Sequence, residues 1–300
     1  MRSIDGLVSD AGGGADEPGP PGRGRPLGRA RSQRLLVTLL GDFWQEGHDP
    51  IPSAGLVRVL EEFAIAPANA RAALSRMTQR GLLERTREGR RTSYEPTERA
   101  WQVLQRGARR IFATGPGPAW DGTWTLIAFS LPIDDNDQRR LLRARLRWLT
   151  FWPLYDATWV TPHDRAEAVR EQLTELGITD ALVLRSTDVQ LLPGGRTRLE
   201  DAWRLGELAD AYEEYLQRYG ELARRARAGK VPPAEALIQR TEMVDEWRLL
   251  VRDDPDLPTE FLPPDFPREE ARATFLETYR ALAEPAGARF DELARSRERT

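Results

Sequence analysis

The sequence has no cysteine, only two histidines (His48 and His163) and a single lysine, Lys230. The absence of cysteine excludes disulfide bonds, thiolate nucleophiles and zinc sites built on cysteine. Two histidines in 300 residues also disfavour histidine-rich metal sites and most catalysis that depends on histidine. No apolar run approaches the ~18 residues that a membrane helix needs, and the N-terminus carries no secretory signal pattern. We therefore expect a cytoplasmic protein that is not an enzyme.

The charges are unevenly distributed along the chain. Residues 21–119 contain 17 arginines against 9 acidic residues, whereas residues 120–300 contain 26 basic residues against 34 acidic ones. A basic segment joined to an acidic remainder indicates one module that binds a polyanion and other modules with different roles.

Composition and periodicity divide the chain into four segments. Residues 1–30 are rich in Gly and Pro and poor in apolar side chains, which predicts a disordered tail. Residues 31–114 predict helices and a hairpin, beginning with a helix that Ser32 would cap. Residues 119–200 alternate strand and helix patterns, and residues 201–300 are helical throughout. The Gly/Pro linker at 115–118 is a candidate hinge. The predicted fold class is α+β.

Residues 53–94 predict a helix, a tight turn, an arginine-rich helix and a basic hairpin, the order of a winged helix-turn-helix. Pro67 is placed in the first turn of the second helix, which extends to Arg80 and ends at Gly81. Gly89 lies in the turn of the hairpin. The spacing predicts that the second helix buries four residues: Ala70, Ala73, Leu74 and Met77.

A helix fits the major groove of DNA, where arginine can bond to guanine and asparagine to adenine in bidentate fashion. Arginines of the hairpin would reach phosphates or the neighbouring minor groove. The residues predicted to bind DNA are Asn69, Arg71, Ser75, Arg76, Gln79, Arg80, Arg85, Arg87, Arg90, Arg91 and Tyr94. The alternative is a solvated basic face, since the helix predicted at 137–148 is equally rich in arginine. Only the first region combines two helices, a short turn and a glycine-turned hairpin.

The central segment predicts the order β-α-β-α-β, with strands at 124–130, 154–160 and 181–185. This order fits a ferredoxin-like α/β sandwich in which some elements are poorly marked. The last segment predicts helices at 205–219, 234–250 and 268–294, with a proline-rich crossing at 253–267. Most of the tryptophans of the central segment are expected in the core or at an interface, because tryptophan buries a large area.

Several stretches resemble the PaaX family of bacterial repressors, named for the regulator of phenylacetic acid degradation. They include RSQRLLVTLLGDF, NARAALSRMTQRGLLERTREGRRTSYEPTERA, WDGTWTLIAFSLP, LRARLRWLTFWPLYDATWVTP and EWRLLVRDDPDLPTEFLPPDFP. The resemblance implies a homodimeric repressor with an N-terminal winged helix, a central ferredoxin-like domain and a helical C-terminal domain. It also implies release from operator DNA by an aryl-CoA or acyl-CoA thioester such as phenylacetyl-CoA. We expect no cofactor.

A second interpretation is a metal-dependent nuclease, because the central segment also resembles the ferredoxin-like CRISPR adaptation nuclease. In such nucleases an aspartate after the first strand binds the metal, and Asp134 and Asp135 follow the first strand here. The same residues read as the polar first turn of the next helix, where acids complement the helix dipole. We favour the helix-capping interpretation.

Overall fold

The computed structural model describes residues 28–44, 49–89, 91–112, 120–132, 135–190, 194 and 201–295. Helices and two small antiparallel sheets make up these residues, which confirms the predicted α+β class. The predicted hinge at 115–118 and the tail up to residue 27 lie outside them. Within the described part of the chain, no helix combines the length and the apolarity needed to cross a membrane.

The chain forms two compact units. The first contains Met1–Ala113, Tyr212–Leu249 and Arg268–Thr300, and the second contains Thr114–Ala211 and Leu250–Pro267. The first unit therefore combines N-terminal residues with helices from the end of the chain. The division into domains at 31–114, 119–200 and 201–300 stays a prediction.

The N-terminal part of the first unit contains four helices and a three-stranded sheet. These elements are α1 (Gly28–Phe43), β1 (Ile51–Pro52), α2 (Ser53–Glu62), α3 (Pro67–Gln79), β2 (Leu83–Glu88), β3 (Arg91–Pro96) and α4 (Glu98–Ile111). The strands pair antiparallel in the order β1-β3-β2. Thr97 caps α4, since its hydroxyl accepts a hydrogen bond from the Ala100 amide at 3.2 Å.

The first helix begins earlier than predicted. It starts at Gly28, so Ser32 is an interior residue with 2% of its surface exposed and not the N-cap. Arg31, before the predicted start, forms an ion pair of 3.3 Å with Glu242, a residue more than 200 positions away. This tertiary contact stabilises the start of α1, where the local sequence contains no apolar stripe.

The second unit is built on a four-stranded antiparallel sheet with strand order β5-β6-β4-β7. Its elements are β4 (Trp124–Phe129), α5 (Asn136–Trp148), β5 (Trp152–Tyr155), β6 (Thr158–Thr161), α6 (Ala166–Glu175) and β7 (Ala181–Ser186). The single strand predicted at 154–160 is wrong. Two strands pair there as a hairpin, Tyr155 opposite Thr158, so the order is β-α-β-β-α-β.

The two faces of this sheet are buried differently. One face packs against α5 and α6 around Ile127, Leu142 and Val169, which are fully buried. On the other face, Trp124 and Trp152 belong to a cluster with Trp203, and Phe261 packs against it. These tryptophans are buried, as the sequence predicts for most of them.

Four helices follow: α7 (Leu205–Arg227), α8 (Pro233–Asp253), α9 (Arg268–Ala281) and α10 (Ala283–Arg295). The single helix predicted at 268–294 is wrong, because it divides at Leu282. Pro285 lies in the first turn of α10, where a residue without an amide hydrogen is tolerated but inside a continuous helix is not. In the first unit, Trp247 of α8 stacks on Phe275 of α9 with ring centroids 4.9 Å apart.

Candidate nucleic-acid interface

Helix α3 is held by apolar contacts on one face. It packs against α1, α2 and β2. Its buried residues are those that the spacing predicts: Ala70, Ala73, Leu74 and Met77. The helix ends in a Schellman turn, in which Gly81 has a positive φ of 66° and the Leu82 amide donates to the Met77 carbonyl at 2.9 Å. The short turn into β2 thus fixes where the hairpin begins.

The opposite face of α3 is open to solvent. Asn69, Arg71, Ser75 and Gln79 are exposed, while Arg76 and Arg80 are half-buried. At 100° per residue, Ser75 and Gln79 lie opposite the buried stripe. Arg71 borders this line on one side, and Asn69 and Arg76 border it on the other. The structure therefore brings Asn69, Arg71, Ser75, Arg76 and Gln79 together on the outer side of α3, whereas Arg80 is the C-cap of the helix and lies beside the buried stripe.

Two residues on this surface were missed by the sequence prediction. Ala68 and Ala72 are exposed and lie in line with Ser75 and Gln79. A methyl group there can contact the methyl of thymine, as alanine does in major-groove readers. The helical spacing contained the signal, since both positions lie opposite the apolar stripe.

The hairpin that follows carries the remaining predicted arginines. Glu88 of β2 lies opposite Arg91 of β3, and Gly89, which follows Glu88, has a φ of 60°. Arg85, Arg87 and Arg91 are exposed, and the side chain of Arg87 donates to the Gly89 carbonyl at 3.2 Å. Arg90 lies outside the described residues.

Tyr94 is the member of the predicted set that the fold buries. It lies opposite Arg85 on β2 and Ile51 on β1, in the middle strand of the sheet. Only 7% of its surface is exposed, which places its ring in the core of the first unit. We therefore leave Tyr94 out of the candidate interface.

The arginines of this surface differ from several arginines of the first unit that are paired with acids. Among the residues that the structure describes, Arg71, Arg76, Arg85 and Arg91 form no ion pair. By contrast, Arg240 binds Asp42 at 2.7 Å and Arg34 binds Asp245 at 2.8 Å. Unpaired guanidinium groups on a convex helix and its neighbouring hairpin form a surface suited to a polyanion.

The nuclease interpretation depends on Asp134 and Asp135 as metal ligands. Asp135 is the N-cap of α5, and its carboxylate accepts a hydrogen bond from the Gln138 amide at 3.0 Å. Asp134 lies outside the described residues. Over the described ranges, no three acidic or histidine side chains are grouped as a metal site would require.

Comparison with known families accounts for most of the chain. The family model described as PaaX-like protein matches residues 29–100, and the PaaX protein central Cas2-like domain matches residues 117–198. The PaaX-like protein C-terminal domain matches residues 203–292. The chain belongs to the PaaX family. The candidate interface lies entirely within the first of the three PaaX matches.

One relative and one solved structure resemble this chain. The transcriptional repressor PaaX of Escherichia coli (strain K12) is 27% identical over 257 residues, which cover 84% of this chain and 80% of the relative. A solved structure, the uncharacterized protein Rv0674 from Mycobacterium tuberculosis, superposes with a TM-score of 0.57 at 20% identity. That match covers 86% of this chain and 99% of the other, and it supports a shared fold.

Proposed function

We propose that this PaaX-family protein is a sequence-specific DNA-binding transcriptional regulator that acts as a repressor. The observation that carries the proposal is that Arg71 and Arg76 on α3 and Arg85 and Arg91 on the hairpin form no ion pair with any residue that the structure describes. The likeness of the chain to the transcriptional repressor PaaX of Escherichia coli supports the same conclusion. In this proposal α1 to β3 form a winged helix-turn-helix.

Helix α3 would read bases, and the hairpin would hold the phosphate backbone. Arg71 and Arg76 can each make two hydrogen bonds to a guanine, and Asn69 can do the same with an adenine. Arg85, Arg87 and Arg91 reach phosphates from the hairpin, which positions the protein without reading sequence. A homodimer would place two α3 helices in successive major grooves of a two-fold symmetric site.

The second unit is proposed to have a regulatory role. Its β-α-β-β-α-β order and β5-β6-β4-β7 sheet support the ferredoxin-like assignment. The family resemblance supports an aryl-CoA or acyl-CoA thioester such as phenylacetyl-CoA as the effector, and a cytoplasmic location. Regulation requires that the effector bind more tightly to the state that does not fit the operator.

The nuclease alternative has less support. The carboxylate of Asp135 already accepts the hydrogen bond of a helix cap, which explains why an acid stands at that position. Nuclease activity in Mg²⁺ that Asp134→Ala abolishes would favour the alternative.

The proposal is tested by selecting binding sites from a pool of random DNA duplexes with the full chain. We expect one recurring sequence, against which Arg71→Ala and Arg76→Ala are then measured in gel-shift titrations. Each lost base contact should weaken specific binding by about 1–3 kcal/mol, because a bidentate contact discriminates by that amount. The same shift, repeated with aryl- and acyl-CoA thioesters, tests the effector.

The matched control is Arg143→Ala, which removes an exposed arginine from α5 in the second unit. We expect this variant to bind the selected sequence as the unaltered chain does. If Arg71→Ala and Arg76→Ala also bound with unchanged affinity, α3 would not be the reader. If no sequence emerged from the random pool, the proposed function itself would fail.

A further inference from the structure

The last helix of the chain lies directly against the first helix of the proposed helix-turn-helix. Gly55 of α2 faces the backbone of Ala294 in α10, and a Cβ at Gly55 would stand 2.1 Å from the Ala294 carbonyl oxygen. Real Cβ atoms do not approach backbone oxygens this closely. Only glycine therefore fits at position 55, because any larger residue would displace α10 from α2.

Polar contacts fix the same pair of helices. The Arg58 side chain on α2 donates to the Leu293 carbonyl at 3.1 Å, one of the last carbonyls of α10 that have no partner within the helix. Arg289 of α10 forms an ion pair with Glu62 at the end of α2. A cation near the C-terminus of a helix and an anion beside Arg289 are both favourable placements.

Apolar packing extends the contact to α1. Phe290 of α10 is 2% exposed and stacks on Phe43 of α1, with ring centroids 5.0 Å apart and planes 12° apart. Helices α1 and α2 are the two helices on which α3 packs. The turn from α2 into α3 is short and fixed, since Phe63 and Ile65 are buried in it. A displacement of α2 would therefore be transmitted to α3.

We propose that α10 is a structural part of the DNA-reading module and sets the position of α3 through α2. This inference rests on the proposed function. The described contacts of α10 are with α1, α2, β1 and α9, so Gly55, Arg58 and Arg289 are positioning residues. Because packed interiors transmit small shifts between elements, a change at the α2–α10 contact alters how α3 meets base edges. The hairpin arginines, which need only reach phosphates, are less sensitive to such a shift.

The test compares Gly55→Ala with Gly287→Ala in the full chain. Both substitutions are in helices, but Gly287 lies in α10 where, apart from its chain neighbours and its own helix backbone, no described atom is within 4 Å of an added Cβ. Affinity is measured for the duplex that the unaltered chain selects from a random pool and for a scrambled duplex. We expect Gly55→Ala to weaken binding to the selected duplex about tenfold, the loss of roughly one base contact, and to leave scrambled binding unchanged. Gly287→Ala should leave both affinities unchanged.

If Gly55→Ala folds and binds both duplexes more weakly by the same factor, the inference is overturned. Unchanged binding of both duplexes by Gly55→Ala would also overturn it. Should Gly55→Ala fail to fold, Arg58→Gln is the deciding variant, because it shortens the donor to Leu293 without adding volume. A loss confined to the selected duplex supports the inference. If the unaltered chain selects no duplex, the failure belongs to the proposed function.

Discussion

A buried ion pair in the first unit leads to the most quantitative prediction. Arg240 on α8 binds both carboxylate oxygens of Asp42 on α1, at 2.7 and 2.8 Å. The two side chains are 6% and 3% exposed. The hydroxyl of Tyr279 on α9 donates to the same carboxylate at 2.5 Å, and its ring lies 3.6 Å from the guanidinium carbon of Arg240. One carboxylate thus joins α1, α8 and α9.

Asp42→Ala should be strongly destabilising. The substitution leaves the Arg240 charge buried with the Tyr279 carbonyl as an acceptor, and breaking a buried pair in this way costs about 3–5 kcal/mol. Tyr279→Phe should cost less, about 1.5–3 kcal/mol, because it removes one hydrogen bond to a charged acceptor. Burial, and secondarily the Asp42 charge, raises the pKa of the Tyr279 hydroxyl, so it remains a donor up to high pH. The two losses should not add, since the groups share a partner.

The measurement is urea unfolding of the full chain, followed by circular dichroism, for both single variants and the double variant. The matched control is Glu277→Ala, which removes the partner of Arg227 in an equally bidentate but exposed pair. We expect a much smaller effect there, because exposed pairs are solvated in both states. If Asp42→Ala cost less than about 1 kcal/mol, in the range of surface pairs, the reasoning from burial would be refuted.

Two further predictions concern the hairpin and the second unit. Arg91→Ala should weaken binding to all duplexes alike and reduce the slope of affinity against salt by about one unit. We expect the same of Arg90→Ala, a residue that lies outside the described part of the hairpin. A loss confined to one sequence would make the hairpin a base reader. Burial lowers the pKa of His163, whose Nε2 lies 2.8 Å from the Asp256 carbonyl. The unfolded chain therefore binds that proton more readily, and stability should fall as the pH drops below about 6.5. Urea midpoints at several pH values should show this dependence weakened in His163→Gln, and an identical dependence would contradict it.

Local periodicity predicted α3 well and the second strand poorly. The buried stripe of α3 follows from three- and four-residue spacing, which any amphipathic helix must have. The turn within residues 154–160 is marked only by Asp156 and Ala157, two residue types that are depleted in strands. Only the pairing of Tyr155 with Thr158, and of β6 with β4, determines that the segment folds back.

The break between α9 and α10 has a local signal in the sequence, although a single helix is predicted there. Pro285 interrupts the apolar pattern of the predicted helix, and the chain restarts as α10 just before it. No local signal marks the start of α1. Arg31 lies within the helix and forms an ion pair with the distant residue Glu242. Tyr94 illustrates the same limit, since a tyrosine beside basic residues gives no indication whether its strand is at the edge or in the middle.

The sequence by itself determined the α+β class, the family, the outer face of α3 and the concentration of arginine in the N-terminal segment. These properties depend on composition and on spacings of a few residues, which the chain carries without folding. Only the tertiary structure decided which arginines are neutralised. Asp42 and Arg240 are 198 positions apart, and the sequence contains many acids that could have served as partners. The same holds for Gly55, whose small size is explained only by the backbone of Ala294 beside it. Contacts between distant residues depend on how the helices pack, and within the described part of the chain that packing leaves Arg71 and Arg76 without ionic partners.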